Sequence, residues 1–234
     1  MKCGVDRTVC LGVRPHHEGM TKTATTNTNS RPGTTRVRTK GSQPTLNISR
    51  LTEQLWTGGD LPDRFDEAVA TIEAWRVEGI GHIIDNRIEW CDDELVEEVA
   101  PEIRYLSAGV DDAGQRMPDR WFDMVTEFAN EAVELGGGVL IHCHMGINRG
   151  PSASYAVLLT QGWDPVEAID LIRTARPIAA VGYAEDALNW WHRTKNIDHQ
   201  QRRNERARLG RWRARHPHDT IRIIRQIRAL EVTP

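Results

Sequence analysis

The sequence predicts an α/β fold with a central, mostly parallel sheet of about five strands flanked by helices, in a single domain with basic tails. Short apolar runs typical of buried strands alternate along the chain with longer segments of helical period. Glycines and prolines mark the junctions between these segments. The alternation is confined to residues 47–195, whereas both ends of the chain are polar and basic. Together these observations indicate a layered fold with appended segments.

The individual elements follow from local composition. The predicted strands are 48–51, 55–57, 82–85, 103–106 and 139–142. The predicted helices are 63–77, 91–99, one that begins at Pro118, one from 149 to 160, and one that is capped at Asp164 and ends before Arg176. Trp190 and Trp191 are predicted to pack in a late helix, and Asp219 to cap a short one.

Charge and complexity divide the chain into three parts. Residues 1–46 form a Thr-rich, basic segment that we expect to be disordered, with Met20 as an alternative start. Residues 47–195 form the predicted α/β domain, and most of it is strongly acidic, with a formal charge of −16 over 47–194. Residues 196–234 form an Arg-rich, partly helical tail. The basic tails are candidate surfaces for nucleic acid or an acidic partner, and a solvated helix packed loosely on the domain is the alternative.

Several classes of protein are excluded or disfavoured. No run approaches the ~18 apolar residues that a membrane-spanning helix needs. The apolar stretch at residues 9–13 is shorter than the ~7–15 residues of a signal-peptide core. The four cysteines, Cys3, Cys10, Cys91 and Cys143, have no paired spacing that would indicate a disulfide scaffold. We therefore expect a cytoplasmic protein without a membrane span.

The segment from His142 to Ser152 carries the chemistry. Cys143 stands where a predicted buried strand ends, and the next helix begins at Arg149. A tight loop that leads into a helix turns successive backbone N–H groups, here those of 144–149, toward one centre that holds a tetrahedral oxyanion. Arg149 adds a bidentate fork. The same field is expected to lower the pKa of the Cys143 thiol into the ~3.5–7.5 range, which prepares it to attack a phosphate ester.

At this point the sequence resembles the cysteine-dependent protein phosphatases, in particular the dual-specificity branch. The resemblance lies in the pattern His-Cys-x-x-Gly-x-x-Arg at 142–149, an upstream aspartate, an aromatic-rich helix and the downstream Arg176-Pro177. It implies that Cys143 is the nucleophile that becomes phosphocysteine and that Arg149 binds phosphate. The phosphate-binding loop would comprise His144, Met145, Gly146, Ile147, Asn148 and Arg149. The implied substrates are phosphorylated proteins, and no metal or cofactor is required.

The resemblance also implies a general acid on a loop about thirty residues before the cysteine, which here contains Asp111 and Asp112. Asp112 fits the family layout best, with Asp111 in reserve. Proton donation to an oxygen leaving group contributes roughly 10²–10⁴ in rate. One departure concerns Gly150, because the family usually places Ser or Thr after the arginine. Slow breakdown of the intermediate, or compensation by Ser152, are the two expectations.

Other functions remain as alternatives. Zinc binding by His142, Cys143 and His144 lacks a second ligand pair at the usual spacing, and a Walker-type loop lacks its Gly-Lys-Ser/Thr. A cysteine protease and a redox pairing of Cys91 with Cys143 are not favoured by the sequence. The chain is also consistent with a module that binds phosphorylated ligands with little turnover. A third alternative is an RNA 5′-phosphatase guided by the basic tail, against which the acidic body counts.

Overall fold

The computed structural model describes residues 46–231. The predicted N-terminal segment, apart from its last residue, lies outside the described residues, and so do Cys3, Cys10 and Met20. None of the helices within 46–231 is long and apolar enough to span a membrane.

The sheet contains five strands in the order β1-β2-β5-β3-β4. The first pair is antiparallel and the other three pairs are parallel, which confirms the predicted sheet. The strands are β1 (Ile48–Arg50), β2 (Leu55–Gly58), β3 (Ile80–Asp85), β4 (Arg104–Ser107) and β5 (Gly138–His142). Every residue of the central strand β5 is buried, so the residue that follows it lies at the middle of the sheet edge.

Eight helices lie within the described residues. They are α1 (Phe65–Val77), α2 (Asp93–Val99), α3 (Asp119–Glu134), α4 (Arg149–Thr160), α5 (Pro165–Ala175), α6 (Ala184–Thr194), α7 (His199–Arg215) and α8 (Thr220–Glu231). The Asp164 carboxylate accepts hydrogen bonds from the first-turn N–H groups of α5, as its capping pattern predicts. Likewise, the Asp219 carboxylate accepts from the backbone N–H of Arg222 at the start of α8.

Side-chain alternation along β5 divides the core between the two faces of the sheet. Val139 and Ile141 pack in a cluster with residues of α3 to α7, whereas Leu140 packs with residues of α1 and α2. Both faces are therefore covered, as a sheet of nearly continuous apolar strands requires. The helix α4 is almost entirely buried, and this holds the loop that precedes it in a fixed position.

The helix α7 was not predicted, because the helix that the sequence analysis placed in the Arg-rich tail is the later one capped at Asp219. Asp198 caps the helix by accepting hydrogen bonds from two backbone N–H groups. Leu209 and Trp212 are buried in the main core, and the Trp212 indole N–H donates to Asp170 of α5 at 3.1 Å. These are two apolar side chains in a helix dominated by arginine, which is why hydrophobic periodicity gave no signal.

Candidate active site

The carboxyl ends of the four parallel strands meet at one edge of the sheet, where α/β folds place their ligand sites. Asp60 lies two residues after β2, and Asp85 is the last residue of β3. The loop after β4 contains Asp112, and Cys143 directly follows β5. The topology therefore brings Asp112 and Cys143, which the sequence analysis singled out, to the same edge as Asp60 and Asp85, which it did not.

The loop between β5 and α4 is shaped by donors that bind its carbonyl groups from outside. The carbonyl oxygens of His144, Met145, Gly146 and Ile147 accept hydrogen bonds from Asp60 N, Arg176 Nη2, Arg176 Nε and Ala180 N, at 2.6–3.0 Å. With its carbonyls held outward, the loop turns N–H groups inward. Those of Gly146, Asn148 and Gly150 act to lower the pKa of the Cys143 thiol, against the effect of its burial. Gly146 and Asn148 belong to the predicted loop 144–149, and Gly150 lies one residue beyond it.

Gly146 is required by the geometry of this loop. Its φ of +62° lies in the left-handed region. A Cβ atom there would lie 2.4 Å from Arg176 Nη2 and 2.5 Å from the carbonyl carbon of Gly58. Any side chain at residue 146 would therefore push the loop off the groups that shape it.

Arg176 is a further residue of the site whose role the sequence analysis left open. It is buried, and besides the two loop carbonyls it donates to the Asn47 side-chain oxygen at 2.8 Å. No carboxylate pairs with Arg176 among the described residues, and burial lowers the pKa of its guanidinium. Its donors organise the phosphate-binding loop from behind.

Burial acts on the Cys143 thiol in the opposite sense to the prediction. Cys143 is 3% exposed, and desolvation raises the pKa of its thiol. The surrounding N–H groups and Arg149 oppose this effect without overcoming it. The expectation of a strongly acidic thiol is therefore wrong for this structure, because the sequence pattern gave the donors around the sulfur but not the depth at which it is buried.

Arg149 is buried, and most of its hydrogen-bond donors are engaged by protein groups. Nη1 and Nη2 each bond one carboxylate oxygen of Glu89 at 2.8 Å, and Nη1 also donates to the Val110 carbonyl oxygen at 3.1 Å. Nε is buried without a hydrogen-bond partner. One edge of the guanidinium, made of Nε–H and the remaining Nη2–H, is thus left to bind an anion in a bidentate manner.

Glu89, in the loop after β3, was missed by the sequence analysis. Arg149 lowers the pKa of this carboxyl to about 2, so the ion pair is intact at neutral pH. The glutamate stands between Ile88 and Trp90, whose side chains are exposed. A glutamate between two apolar residues in a loop forms no recognisable motif. The signal that could have found it is its place after β3, because ligand sites lie at the carboxyl ends of parallel strands.

Asp112 contacts the phosphate-binding loop, whereas Asp111 does not share its partners. Asp112 Oδ1 accepts from Asn148 Nδ2 and from the Tyr183 hydroxyl, each at 2.7 Å, and Oδ2 lies 3.7 Å from Arg149 Nε. Asp111 Oδ1 instead accepts from the backbone N–H of Asp112. Of the two aspartates, Asp112 is the one that the fold brings beside Arg149.

Behind the site, a buried arginine joins three loops. The Arg87 side chain is 1% exposed and bonds both oxygens of Asp85 as well as Asp60 and Asp92, with distances of 2.5–2.8 Å. The second oxygen of Asp60 lies 2.6 Å from Nδ1 of His144. This cluster fixes the ends of β2 and β3 relative to the phosphate-binding loop. Its sequence signal was an Asp-x-Arg that begins at the last residue of a buried strand.

The two histidines beside Cys143 have separate surroundings. The ring of His142 is buried with Nε2 3.9 Å from Asp85, and burial lowers its pKa to about 4, so it is neutral at pH 7. The ring of His144 is partly exposed and pairs with Asp60. Their different partners do not form the shared ligand set that the zinc alternative required.

Asp60 makes stability depend on pH. Burial raises its pKa to about 6, against the opposing effects of His144 and Arg87. Because the folded-state pKa lies above the unfolded value of 3.8, its contribution to stability is present below about pH 4 and is lost as pH rises through about 6. Relative to Asp60→Asn, we expect the free energy of unfolding of the wild type to fall by about 2–3 kcal/mol between pH 4 and 7. Urea unfolding across this range measures it.

The matched control for this experiment is Asp63→Asn, which removes an exposed carboxylate three residues away. It should follow the wild-type pH dependence. Parallel curves for the wild type and Asp60→Asn would contradict the prediction.

The family model for the dual specificity phosphatase catalytic domain matches residues 63–185, just over half of the chain. Dual specificity protein phosphatase 1B of Arabidopsis thaliana is 37% identical over 57 residues, which are 24% of this chain and 34% of that protein. Dual specificity protein phosphatase 1 of the same plant is 32% identical over 63 residues, which are 26% of this chain and 32% of that protein. The chain therefore spans about a third of the length of these curated relatives.

Solved structures show the same fold. Human DUSP28 covers 64% of this chain with 95% of its own, at a TM-score of 0.53 and 18% identity. A mouse putative dual specificity phosphatase complexed with zinc tungstate covers 69% of this chain with 96% of its own, at a TM-score of 0.54 and 19% identity. The matched family segment includes the whole loop from Cys143 to Arg149 and also Asp112. The chain belongs to the dual specificity phosphatase family.

Proposed function

We propose that the chain is a protein phosphatase that hydrolyses phosphotyrosine, and also phosphoserine and phosphothreonine, monoesters through a phosphocysteine intermediate. The observation that carries this proposal is the environment of the Cys143 sulfur. The N–H groups of three loop residues and the Arg149 guanidinium act to lower the pKa of this thiol. One edge of that guanidinium, made of Nε–H and one Nη2–H, has no hydrogen bond to the protein. A phosphoryl group seated there would have donors for its oxygens and a nucleophile facing phosphorus. The proposed chemistry requires no cofactor, because these donors supply the charge stabilisation.

The Cys143 thiol first loses its proton to solvent. The thiolate then attacks phosphorus, a sulfur–phosphorus bond forms, and the bond from phosphorus to the ester oxygen breaks. The N–H groups and Arg149 stabilise the thiolate against the cost of its burial. Asp112, protonated at Oδ2, gives its proton to the departing oxygen. In the second step Asp112 takes a proton from water, the water oxygen attacks phosphorus, and the cysteine thiolate leaves with inorganic phosphate as product.

Gly150 shapes the second step. A Cβ atom at this residue would lie 3.1 Å from the carbonyl carbon of His142 and 3.2 Å from Cys143 N, so a larger residue is accommodated only if the backbone shifts. The Ser152 hydroxyl accepts from the backbone N–H of Tyr183 at 3.2 Å. The backbone N–H of Gly150 is then the group that stabilises the departing thiolate at this position.

The rim of the site favours an aromatic ester. The segment of Ile88 to Trp90 reaches the phosphate-binding loop, since Glu89 binds Arg149 and the Trp90 ring lies 5.3 Å from the ring of His144. Ile88 is 63% exposed and Trp90 47% exposed. Apolar side chains beside an anion site suit the ring of phosphotyrosine better than the short chain of phosphoserine.

The direct test is hydrolysis of p-nitrophenyl phosphate, phosphopeptides, 5′-phosphorylated RNA and inositol phosphates by the full chain. We expect steady phosphate release from the aryl phosphate and phosphotyrosine peptides, inhibited by vanadate and unaffected by EDTA. Release limited to a single burst would instead identify a phosphate-binding module. A preference for RNA would identify the RNA 5′-phosphatase alternative.

Glu89→Gln tests the setting of Arg149. Without the carboxylate, the guanidinium loses its two charge-assisted bonds at 2.8 Å, and its phosphate-binding edge is no longer fixed. We expect kcat/KM to fall about 10- to 100-fold, which corresponds to the loss of a hydrogen bond between charged groups. Steady-state kinetics on p-nitrophenyl phosphate measures this. Glu97→Gln, an exposed glutamate of α2, is the control, and equal kinetics for the two variants would refute the role.

A further inference from the structure

The proposed general acid lies on a loop, so the orientation of its carboxylate depends on the side chains that contact it. Asp112 is exposed and lies between β4 and α3, outside any helix or strand. Both hydrogen bonds from other side chains go to the same carboxylate oxygen, Oδ1, which accepts from Asn148 Nδ2 and the Tyr183 hydroxyl at 2.7 Å. The other oxygen, Oδ2, faces the unused edge of Arg149. The carboxylate is therefore held by one oxygen while the other borders the phosphoryl site.

The two donors are themselves fixed by the segment before α6. Asn148 Oδ1 accepts from the backbone N–H of Gly182 at 2.6 Å, which orients the amide so that Nδ2 points at Asp112. The Tyr183 backbone N–H donates to the buried Ser152 hydroxyl, and the Tyr183 hydroxyl accepts from the backbone N–H of Gly114 at 3.3 Å. Tyr183 thus bonds to α4 through its backbone and to the loop that contains Asp112 through its hydroxyl.

The backbone of the same segment adopts a costly conformation. Val181 is buried and has φ of +51°, which a β-branched residue rarely adopts. Arg213 of α7 holds it there by donating from Nη2 to the Val181 carbonyl oxygen at 2.8 Å. Strain that is maintained by surrounding contacts is typical of functional segments. Burial, together with the neighbouring Asp112, raises the pKa of Tyr183, so its hydroxyl remains a donor.

We propose that Tyr183 and Asn148 are positioning residues that fix Asp112 by Oδ1, so that Oδ2 carries the proton to the leaving oxygen. This inference rests on the proposed function, because it assigns the aim of the general acid in that reaction. Neither residue need touch the substrate for this role. The Tyr183 hydroxyl, moreover, is a group that a single substitution removes with almost no change in volume.

The experiment compares Tyr183→Phe with the wild type on two aryl phosphates of different leaving-group strength. Phenyl phosphate needs protonation of its leaving oxygen, whereas the leaving group of p-nitrophenyl phosphate departs readily without it. We expect kcat for phenyl phosphate to fall about 10-fold and kcat for p-nitrophenyl phosphate to change less than about 2-fold. Asn148→Ala should likewise slow phenyl phosphate more than p-nitrophenyl phosphate, with some loss on both because Asn148 belongs to the phosphate-binding loop. Tyr155→Phe, which removes a buried hydroxyl bonded to the Pro165 carbonyl oxygen, is the matched control and should not discriminate.

A double mutant separates positioning from a structural role. In an Asp112→Asn background, Tyr183→Phe should cause no further loss on phenyl phosphate, because the proton it directs is already absent. Equal slowing of both substrates, or further loss in that background, would overturn the inference and leave the proposed function standing. If Asp112→Asn itself fails to discriminate, the acid assignment falls and the positioning role falls with it, while turnover by Cys143 is judged separately. Thermal melting of each variant establishes that it is folded.

Discussion

Cys143→Ser is expected to abolish phosphatase turnover while leaving phosphate-ester binding intact. Serine retains the size and the surrounding N–H donors, but its hydroxyl is a far weaker nucleophile than a thiolate at neutral pH. We expect kcat to fall by on the order of 10⁴-fold or more, by comparison with the loss of the nucleophile in other covalent hydrolases. Single-turnover phosphate release measures the chemistry, and calorimetric titration with a phosphotyrosine peptide measures the binding.

The control is Cys91→Ser, which removes the exposed cysteine of the described residues. The Cys91 thiol donates to Asp93 Oδ1 at 3.0 Å, outside the loop between β5 and α4, and burial together with Asp93 raises its pKa to about 12. Kinetics like those of the wild type are expected, in reducing and in mildly oxidising buffer. Turnover that survived in Cys143→Ser, or was lost in Cys91→Ser, would overturn the assignment of the nucleophile.

Asp112→Asn is expected to cause the second large loss of turnover, and the size of the loss should depend on the leaving group. An amide keeps the shape of the carboxyl but cannot donate the proton that an alkoxide requires. We expect kcat for phosphoserine peptides to fall by roughly 10²–10⁴-fold. Because its leaving group needs no proton, p-nitrophenyl phosphate should be slowed by less than about 10-fold. Parallel assays with both substrates measure the difference.

Asp111→Asn is the adjacent control, since Asp111 bonds the backbone of the loop rather than the side chains of the site. It should leave the ratio of the two rates unchanged. If Asp111→Asn produced the discrimination and Asp112→Asn did not, the role would move by one residue. Equal slowing of both substrates by Asp112→Asn would instead remove the general acid from this loop.

Hydrophobic pattern accounts for the part of the fold that was predicted. The strand β5 contains an apolar run that follows three glycines, and α4 contains the apolar run 155–159 and is followed by Gly162, so their place at the centre of the molecule follows from sequence. The turn between them had to present N–H groups around Cys143, because a strand ends and a helix begins within six residues. The local geometry of the loop was therefore predictable from its neighbours in the chain.

Contacts between distant segments account for what was not predicted. Glu89 reaches Arg149 across 60 residues, and Tyr183 reaches Asp112 across 71. Neither pairing leaves a periodic trace, because each arises only when the strands have been ordered in the sheet. The prediction of a lowered pKa for the Cys143 thiol was wrong for the same reason, since the burial of the sulfur depends on the packing of the whole domain and not on the residues beside the cysteine.

The helix α7 changes how the C-terminal part of the chain can be studied. Ending the protein at residue 196 would remove Leu209 and Trp212 and expose the apolar surface that they cover. It would also remove the hydrogen bond from Arg213 to the Val181 carbonyl oxygen. If a shortened protein loses activity toward every substrate, the cause is therefore damage to the folded domain. It is not the loss of a basic surface that binds one class of substrate. Charge-reversal of single exposed arginines on that helix, with its two anchoring side chains retained, is the cleaner way to ask what the basic end attracts.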